Sequence, residues 1–307
     1  MALQHKWYKY KKLMTIRAKI YLRLIRLRAQ LLKSRIKRSS QGELPDVLCV
    51  GVPKAATTWL YFNLRSYPDV FLPPQKELHF FSHKYYVEST NSVFNHLKKN
   101  SYWHFEFNLG DPVHWRWYKS QFKGGKHKIK IDITPTYCRV SKERIGQIKQ
   151  QLPHTKIILI IRNPIERAWS GASYFMDRKK GKSMAALNLT QELLPWVLDA
   201  ERLDYGNYID MISNWDAFYD SKNIKYIFYD DINTDPEGTL NEIAAFMNIG
   251  KMTNTGNNKK DPNERINSDY KKINMPQEVK LKLKDIYFPH IEFLERRFSR
   301  DLSSWTK

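Results

Sequence analysis

The stretch VGVPKAATTWLYFNL, Val50–Leu64, holds three kinds of sequence in fifteen residues. Its first residues close an apolar run, DVLCVGV (46–52), of the length and character of a buried parallel strand. Pro53 and Lys54 then break the run. From Thr57 the pattern turns amphipathic, which predicts a helix over Thr57–Ser66. A strand, a short turn and a helix start form an anion-binding device, because the first backbone N–H groups of a helix lack internal partners and sit at the positive end of its dipole. Lys54 adds a full charge, and Thr57 and Thr58 add hydroxyl donors. The turn therefore suits a phosphate-like group, the alternative being a tight connection with a solvated lysine. It does not supply the GxxxxGK[ST] pattern of a Walker A loop.

Working outward, the chain alternates strand and helix. HKIKIDI (127–133), KIILIIR (156–162) and IKYIFYD (224–230) read as further buried strands. Helices are expected at Lys142–Gln151, Ile165–Phe175, Tyr208–Tyr219 and Pro236–Met247, and two more after Gln277. Asn163-Pro164 and Asp235-Pro236 each place a capping residue before a proline at the first helical position. This alternation predicts an α/β fold with a central parallel sheet flanked by helices. Ser82–Lys126 and Asp177–Asp204 break the alternation and read as insertions over one end of the sheet. The segment IILIIRNPIERAWSGASYF (157–175) repeats the logic of the first turn. Arg162 ends a strand and Ser170 lies about two turns into the next helix, so the arginine suits a second phosphate. A salt bridge to Glu166 or Asp132 is its alternative.

Charge is distributed unevenly. The net charge of +21 includes thirteen Lys and Arg, and no Asp or Glu, within residues 1–40, leaving +8 for the rest. Leu13, Ile16, Ile20, Leu24, Leu27 and Leu31 recur at helical steps, so residues 1–40 read as a basic amphipathic arm. Such an arm suits an anionic membrane surface, or packs on its own domain. SSQGELP (39–45) reads as a linker, and residues 45–307 as one domain. Cys49 and Cys138 form no metal-spaced pair and no disulfide framework, which points to a reducing, cytoplasmic setting. No apolar run reaches the roughly 20 residues of a membrane span, so a cytoplasmic, at most membrane-peripheral, protein is expected.

PKAATTWL (53–60) followed by RNPIERAWSGASYF (162–175) resembles the two cofactor motifs of the sulfotransferases, which use 3′-phosphoadenosine-5′-phosphosulfate (PAPS) as sulfuryl donor. The resemblance implies a P-loop-like fold. It also implies that Lys54, the Ala55–Thr58 backbone, Thr57 and Thr58 bind the 5′-phosphosulfate, and that Arg162 and Ser170 bind the 3′-phosphate. KELHFFS (76–82) resembles the segment carrying the catalytic glutamate in the heparan-type, carbohydrate-directed branch. Glu77 is thereby implied as general base, with His79 assisting, and Lys54 as the group that neutralises charge on the leaving phosphate. IDITPTY (131–137), YGNYIDMISNWDAFY (205–219), YDDINTDPEGTLNEIAAFMNI (229–249) and FLERRFSRDLSSW (293–305) extend the likeness over about residues 45–305. Trp59 is either an adenine contact or core. Lys259, Lys260 and Arg265 occupy a loop where the family adds a 3′-phosphate contact.

Three positions depart from the family pattern. Ala56 replaces the usual glycine of the first loop, which is tolerable only at ordinary helical angles. Ile133 stands where a lysine follows the acidic residue. The histidine of the small-molecule branch has no match, which points away from phenol and steroid acceptors. Trp103, His104, Trp115, Trp117 and Tyr118 suit sugar rings or form a satellite core. The implied protein binds PAPS, or its product 3′,5′-adenosine bisphosphate, without a metal, and a carbohydrate or glycan-like acceptor. Two alternatives are a P-loop-like nucleotide kinase and a basic nucleic-acid- or membrane-binding protein, although charge alone gives no specific nucleic-acid recognition.

Overall fold

The computed structural model describes residues 25–36, 42–82, 107–174, 193–250 and 274–307. Trp103, His104, Lys259, Lys260, Arg265 and most of the basic arm lie outside these residues.

Five parallel strands form the centre: β1 (Val47–Gly51), β2 (Val70–Phe71), β3 (Ile129–Ile133), β4 (Lys156–Ile161) and β5 (Ile224–Phe228), in the order β2-β3-β1-β4-β5. β1 and β4 read as unbroken apolar runs because neighbours cover both faces; from Val47 to Gly51 and from Ile157 to Ile161 every residue is buried. Leu48 of β1 pairs with Asp132 on one side and Ile157 on the other. The chain thus lays β2 and β3 on one side of β1, then crosses to lay β4 and β5 on the other. In open α/β sheets, ligands sit outside the carboxyl ends of the strands where the order reverses. Here that point lies between β1 and β4, the two strands that lead into the Lys54 and Arg162 turns.

Ten helices follow β1 in the described residues, the first nine being α2 (Thr57–Leu64), α3 (Pro112–Ser120), α4 (Lys142–Gln151), α5 (Pro164–Tyr174), α6 (Leu194–Val197), α7 (Ala200–Leu203), α8 (Tyr208–Asp216), α9 (Tyr229–Thr234) and α10 (Pro236–Phe246). The expected starts are observed. Asn163 Oδ1 accepts from the Ile165 N–H at 3.0 Å, and Asp235 Oδ1 from the Gly238 N–H at 2.8 Å. Gly51 is required by close approach, since a Cβ there would lie 2.8 Å from Pro135 O and 2.7 Å from Cys138 Cβ. This lets β1 run hard against the 3-10 turn Pro135–Arg139 that follows β3.

The C-terminal expectation is corrected. One helix, α11 (Gln277–Phe298), replaces the two expected and continues through Pro289; only the short 3-10 turn Ser303–Thr306 follows. An interior proline costs about 3 kcal/mol. The buried face Val279, Leu283, Tyr287, Ile291 and Leu294 continues in register across it, and that burial outweighs the break.

Residues 25–36 form helix α1, which lies on the domain. Leu27 is buried, Trp117 Nε1 donates to Gln30 Oε1 at 2.9 Å, and Arg116 Nε donates to Ser34 O at 2.8 Å. Among the described residues no helix is long and apolar enough to cross a membrane.

Candidate active site

The Lys54 turn and the Arg162 turn are joined by a hydrogen bond. Arg162 Nη1 donates to the Lys54 carbonyl at 2.6 Å, across 108 positions of sequence. The arginine backbone is clamped by Tyr208, whose hydroxyl accepts from Arg162 N–H at 3.0 Å and donates to Arg162 O at 2.7 Å. The guanidinium lies over the Tyr229 ring, 4.5 Å from its centroid. Its Nε–H is buried with no acceptor. Of the two salt bridges expected as alternatives, Glu166 stands 3.6 Å away on an exposed side chain, a geometry worth little. Asp132 is fully engaged elsewhere. An orphaned donor on a fixed cation is the arrangement an anion completes.

α2 offers the second part. Its cap residue, Ala56, supplies no side-chain hydrogen bond to the helix start. Ala56 sits at φ 59°, ψ 15°, and Lys54 at φ 69°. The left-handed region costs a non-glycine residue about 1–2 kcal/mol, so the ordinary helical angles under which alanine would be harmless here are not adopted. Thr57 is buried and Thr58 half-buried. The Lys54 ammonium rests 3.8 Å from the centroid of the Tyr174 ring, at the end of α5. Ser170 is buried one turn before Tyr174, on the same helical face. α5 therefore turns its Ser170–Tyr174 face towards the Lys54 turn. Trp59, on α2, is buried and packs in the core.

Glu77 and His79 lie in the loop after β2, at φ 65° and 55°. Two non-glycine residues in this region within one short loop mark a segment held by its surroundings, and such strain gathers at functional sites. Glu77 Oε1 accepts from Lys76 Nζ at 2.7 Å, and His79 Nε2 is 3.6 Å from Glu77 Oε2. Burial pushes the Glu77 carboxyl up, but the His79 ring and the Lys76 ammonium outweigh it and hold the pKa at about 2. Glu77 is ionised throughout the physiological range. Thr136 Oγ1 pairs with His79 Nδ1 at 3.0 Å and with Ser82 Oγ at 2.8 Å, fixing the imidazole from its other side.

The sulfotransferase-domain family model matches residues 44–284. The chain belongs to the sulfotransferase family. It is 25% identical over 210 residues to human heparan sulfate glucosamine 3-O-sulfotransferase 6, covering 68% of this chain and 53% of that protein. It is also 21% identical over 226 residues to the bifunctional heparan sulfate N-deacetylase/N-sulfotransferase 1 of Caenorhabditis briggsae, covering 68% of this chain and 23% of the relative. This sulfotransferase-family chain thus spans about half the length of the first of these relatives. Its fold is that of the solved sulfotransferase from Alicyclobacillus acidocaldarius, with a TM-score of 0.62 at 20% identity, covering 86% of this chain and all of that one.

Sequence reading missed four residues that touch this candidate site: Tyr174, Tyr208, Tyr229 and Thr136. Tyr208 stands inside the YGNY stretch and Thr136 inside ITPTY, so a motif marked each position without revealing its contact. Tyr174 stands inside RNPIERAWSGASYF and Tyr229 opens YDDINTDPEGTLNEIAAFMNI, again without revealing what either ring touches. Of the aromatic residues weighed as acceptor contacts, Trp117 and Tyr118 are buried, and both pack on Phe80 as core; Phe80 and Tyr118 stack at 4.2 Å and 6°. Among the described residues no cluster of His, Cys, Asp and Glu could hold a metal ion.

Proposed function

We propose that this protein transfers a sulfuryl group from PAPS to a hydroxyl or amine of a carbohydrate or glycan-like acceptor. The observation that carries this reading is the bond from Arg162 to the Lys54 carbonyl at the reversal of the strand order, with the Arg162 Nε–H left without an acceptor. Two cationic turns joined side by side at that reversal suit a nucleotide with phosphates at both ends. Arg162 and Ser170 would hold the 3′-phosphate. The amides at the start of α2, with Thr57, Thr58 and Lys54, would hold the 5′-phosphosulfate. PAPS, when bound, supplies an activated sulfuryl group.

Each side chain then has a defined task. Glu77 would take the acceptor proton as general base, and catalysis of this kind is worth about 10²–10⁴-fold. Lys54, which rests on the Tyr174 ring, would neutralise negative charge on the leaving phosphate. His79, fixed by Thr136, orients Glu77. The Lys76 ammonium that helps keep Glu77 ionised also lowers its basicity. The names of the heparan sulfate relatives support a carbohydrate acceptor.

The test is a labelled-PAPS transfer assay with desulfated heparin, heparosan and a phenol as acceptors. It is run beside thermal shifts with 3′,5′-adenosine bisphosphate and with ATP–magnesium. The reading predicts label on a glycan and a larger shift with the bisphosphate. Label on the phenol alone would refute the acceptor class, and a larger shift with ATP–magnesium would favour a nucleotide kinase.

A further inference from the structure

At the end of β3, Asp132 is 1% exposed and accepts three hydroxyl protons. Thr134 Oγ1 donates to Oδ1 at 2.7 Å, and the Tyr118 and Tyr137 hydroxyls both donate to Oδ2 at 2.9 Å. A hydroxyl carries a single proton. Once that proton is committed to the carboxylate, the oxygen serves its other neighbours only as an acceptor. Thr134 Oγ1 accepts from the Leu78 N–H at 3.0 Å, and the Tyr137 hydroxyl accepts from the Phe80 N–H at 2.9 Å. Leu78 and Phe80 alternate with Glu77 and His79, the two left-handed residues of the loop. Pinning the even-numbered amides inward leaves the odd-numbered side chains half-buried on the other side.

We propose that Asp132 is a positioning residue: by orienting the Thr134 and Tyr137 hydroxyls it fixes the 77–80 backbone, and so the placement of Glu77 and His79. The catalytic meaning of that placement rests on the role given to Glu77 under Proposed function; the backbone effect does not. In Asp132→Asn an N–H₂ group replaces one carboxylate oxygen. The hydroxyl facing it must accept, and its own proton then turns into the amide it used to receive.

The contrast that decides the matter is Thr134→Val against Tyr118→Phe. Each removes one hydroxyl from Asp132, but only the first removes an acceptor from the loop, and the phenylalanine keeps the ring that stacks on Phe80. Three quantities are read: hydrogen exchange at the Leu78 and Phe80 amides, bisphosphate affinity by calorimetry, and PAPS turnover with desulfated heparin. Thr134→Val and Asp132→Asn are expected to speed exchange at Leu78 and to lower kcat by about tenfold or more, the equivalent of one buried hydrogen bond, with bisphosphate affinity unchanged. Tyr118→Phe is expected to leave all three near the parent values. Equal exchange at Leu78 in the valine and phenylalanine variants overturns the proposal, as does unchanged exchange in both. Should Asp132→Asn fail to fold, that pair still decides. Should desulfated heparin accept no sulfate from the parent protein, the acceptor reading falls while the exchange contrast still judges this one.

Discussion

Replacing Arg162 tests the pairing of the two cationic turns directly. In the ligand-free protein the guanidinium makes one strong bond, to the Lys54 carbonyl at 2.6 Å, and lies over Tyr229. A hydrogen bond from a charged donor contributes about 1.5–3 kcal/mol, and an exposed cation–π contact about 0.5–1. Against these stands the buried Nε–H with no acceptor, which costs about 1–3 kcal/mol and disappears with the side chain. Arg162→Ala should therefore lose only about 1 kcal/mol of stability without ligand. Bound 3′,5′-adenosine bisphosphate changes the balance. A phosphate oxygen that accepts from the guanidinium adds a charge-assisted bond, and its loss should weaken affinity about 10- to 150-fold. Arg162→Lys keeps the charge but not the planar fork and should fall between. Calorimetric titration of the bisphosphate at fixed ionic strength, with urea unfolding of each variant, separates the two effects. A bisphosphate affinity within about twofold of the parent, whatever the stability change, would mean that Arg162 is only a strut between two turns.

Other outcomes follow from the same geometry. Ala56→Gly relieves a left-handed alanine at φ 59°. The gain of about 1–2 kcal/mol, reduced by the extra freedom of glycine in the unfolded chain, leaves about 0.5–1 kcal/mol of added stability in urea unfolding. Glu77→Gln should lower turnover about 10²-fold or more with bisphosphate affinity intact; near-normal turnover would remove the base assignment. The same variant carries a pH signature. The Glu77 carboxyl is held at about 2 against an ordinary 4.5, so its pairing stabilises the fold above about pH 4.5 and is lost as pH falls towards 2. The urea midpoints of parent and Glu77→Gln should therefore converge across that window, and a gap that persists at pH 2 would contradict the pairing. Leu27→Ala should cost about 2 kcal/mol, because α1 is buried there against the domain, and an unchanged urea midpoint would detach the arm from the fold.

The N-terminal arm shows where sequence and structure part. Its apolar stripe at helical spacing was legible, but the same stripe serves a lipid surface or a protein surface equally well. Only the contacts of Leu27, Gln30 and Ser34 with the domain show that residues 25–36 use it internally. Ala56 parts from its sequence reading for a different reason. Its identity flagged a missing glycine, but the sign of φ belongs to the path between β1 and α2, which no residue type dictates. α3 and the two-residue strand β2 were not anticipated, because their aromatic segments carry neither a clean period of 3.6 nor one of 2.

Taken alone, the sequence determined the α/β alternation, the approximate ends of α2, α4, α5, α8 and α10, and the two cationic turns. Each of these is written locally, in apolar runs of strand length, in Asn-Pro and Asp-Pro caps, and in a lysine or arginine placed just past a strand. Tertiary structure decided the order β2-β3-β1-β4-β5, which puts those two turns side by side, and the contact of Arg162 with the Lys54 carbonyl. It also decided the pinning of the Glu77 loop, whose Leu78 and Phe80 amides donate to Thr134 and Tyr137, 56 and 57 positions away along the chain. These are pairings between distant residues. Their energies depend on which strand neighbours which, and a one-dimensional pattern does not encode that.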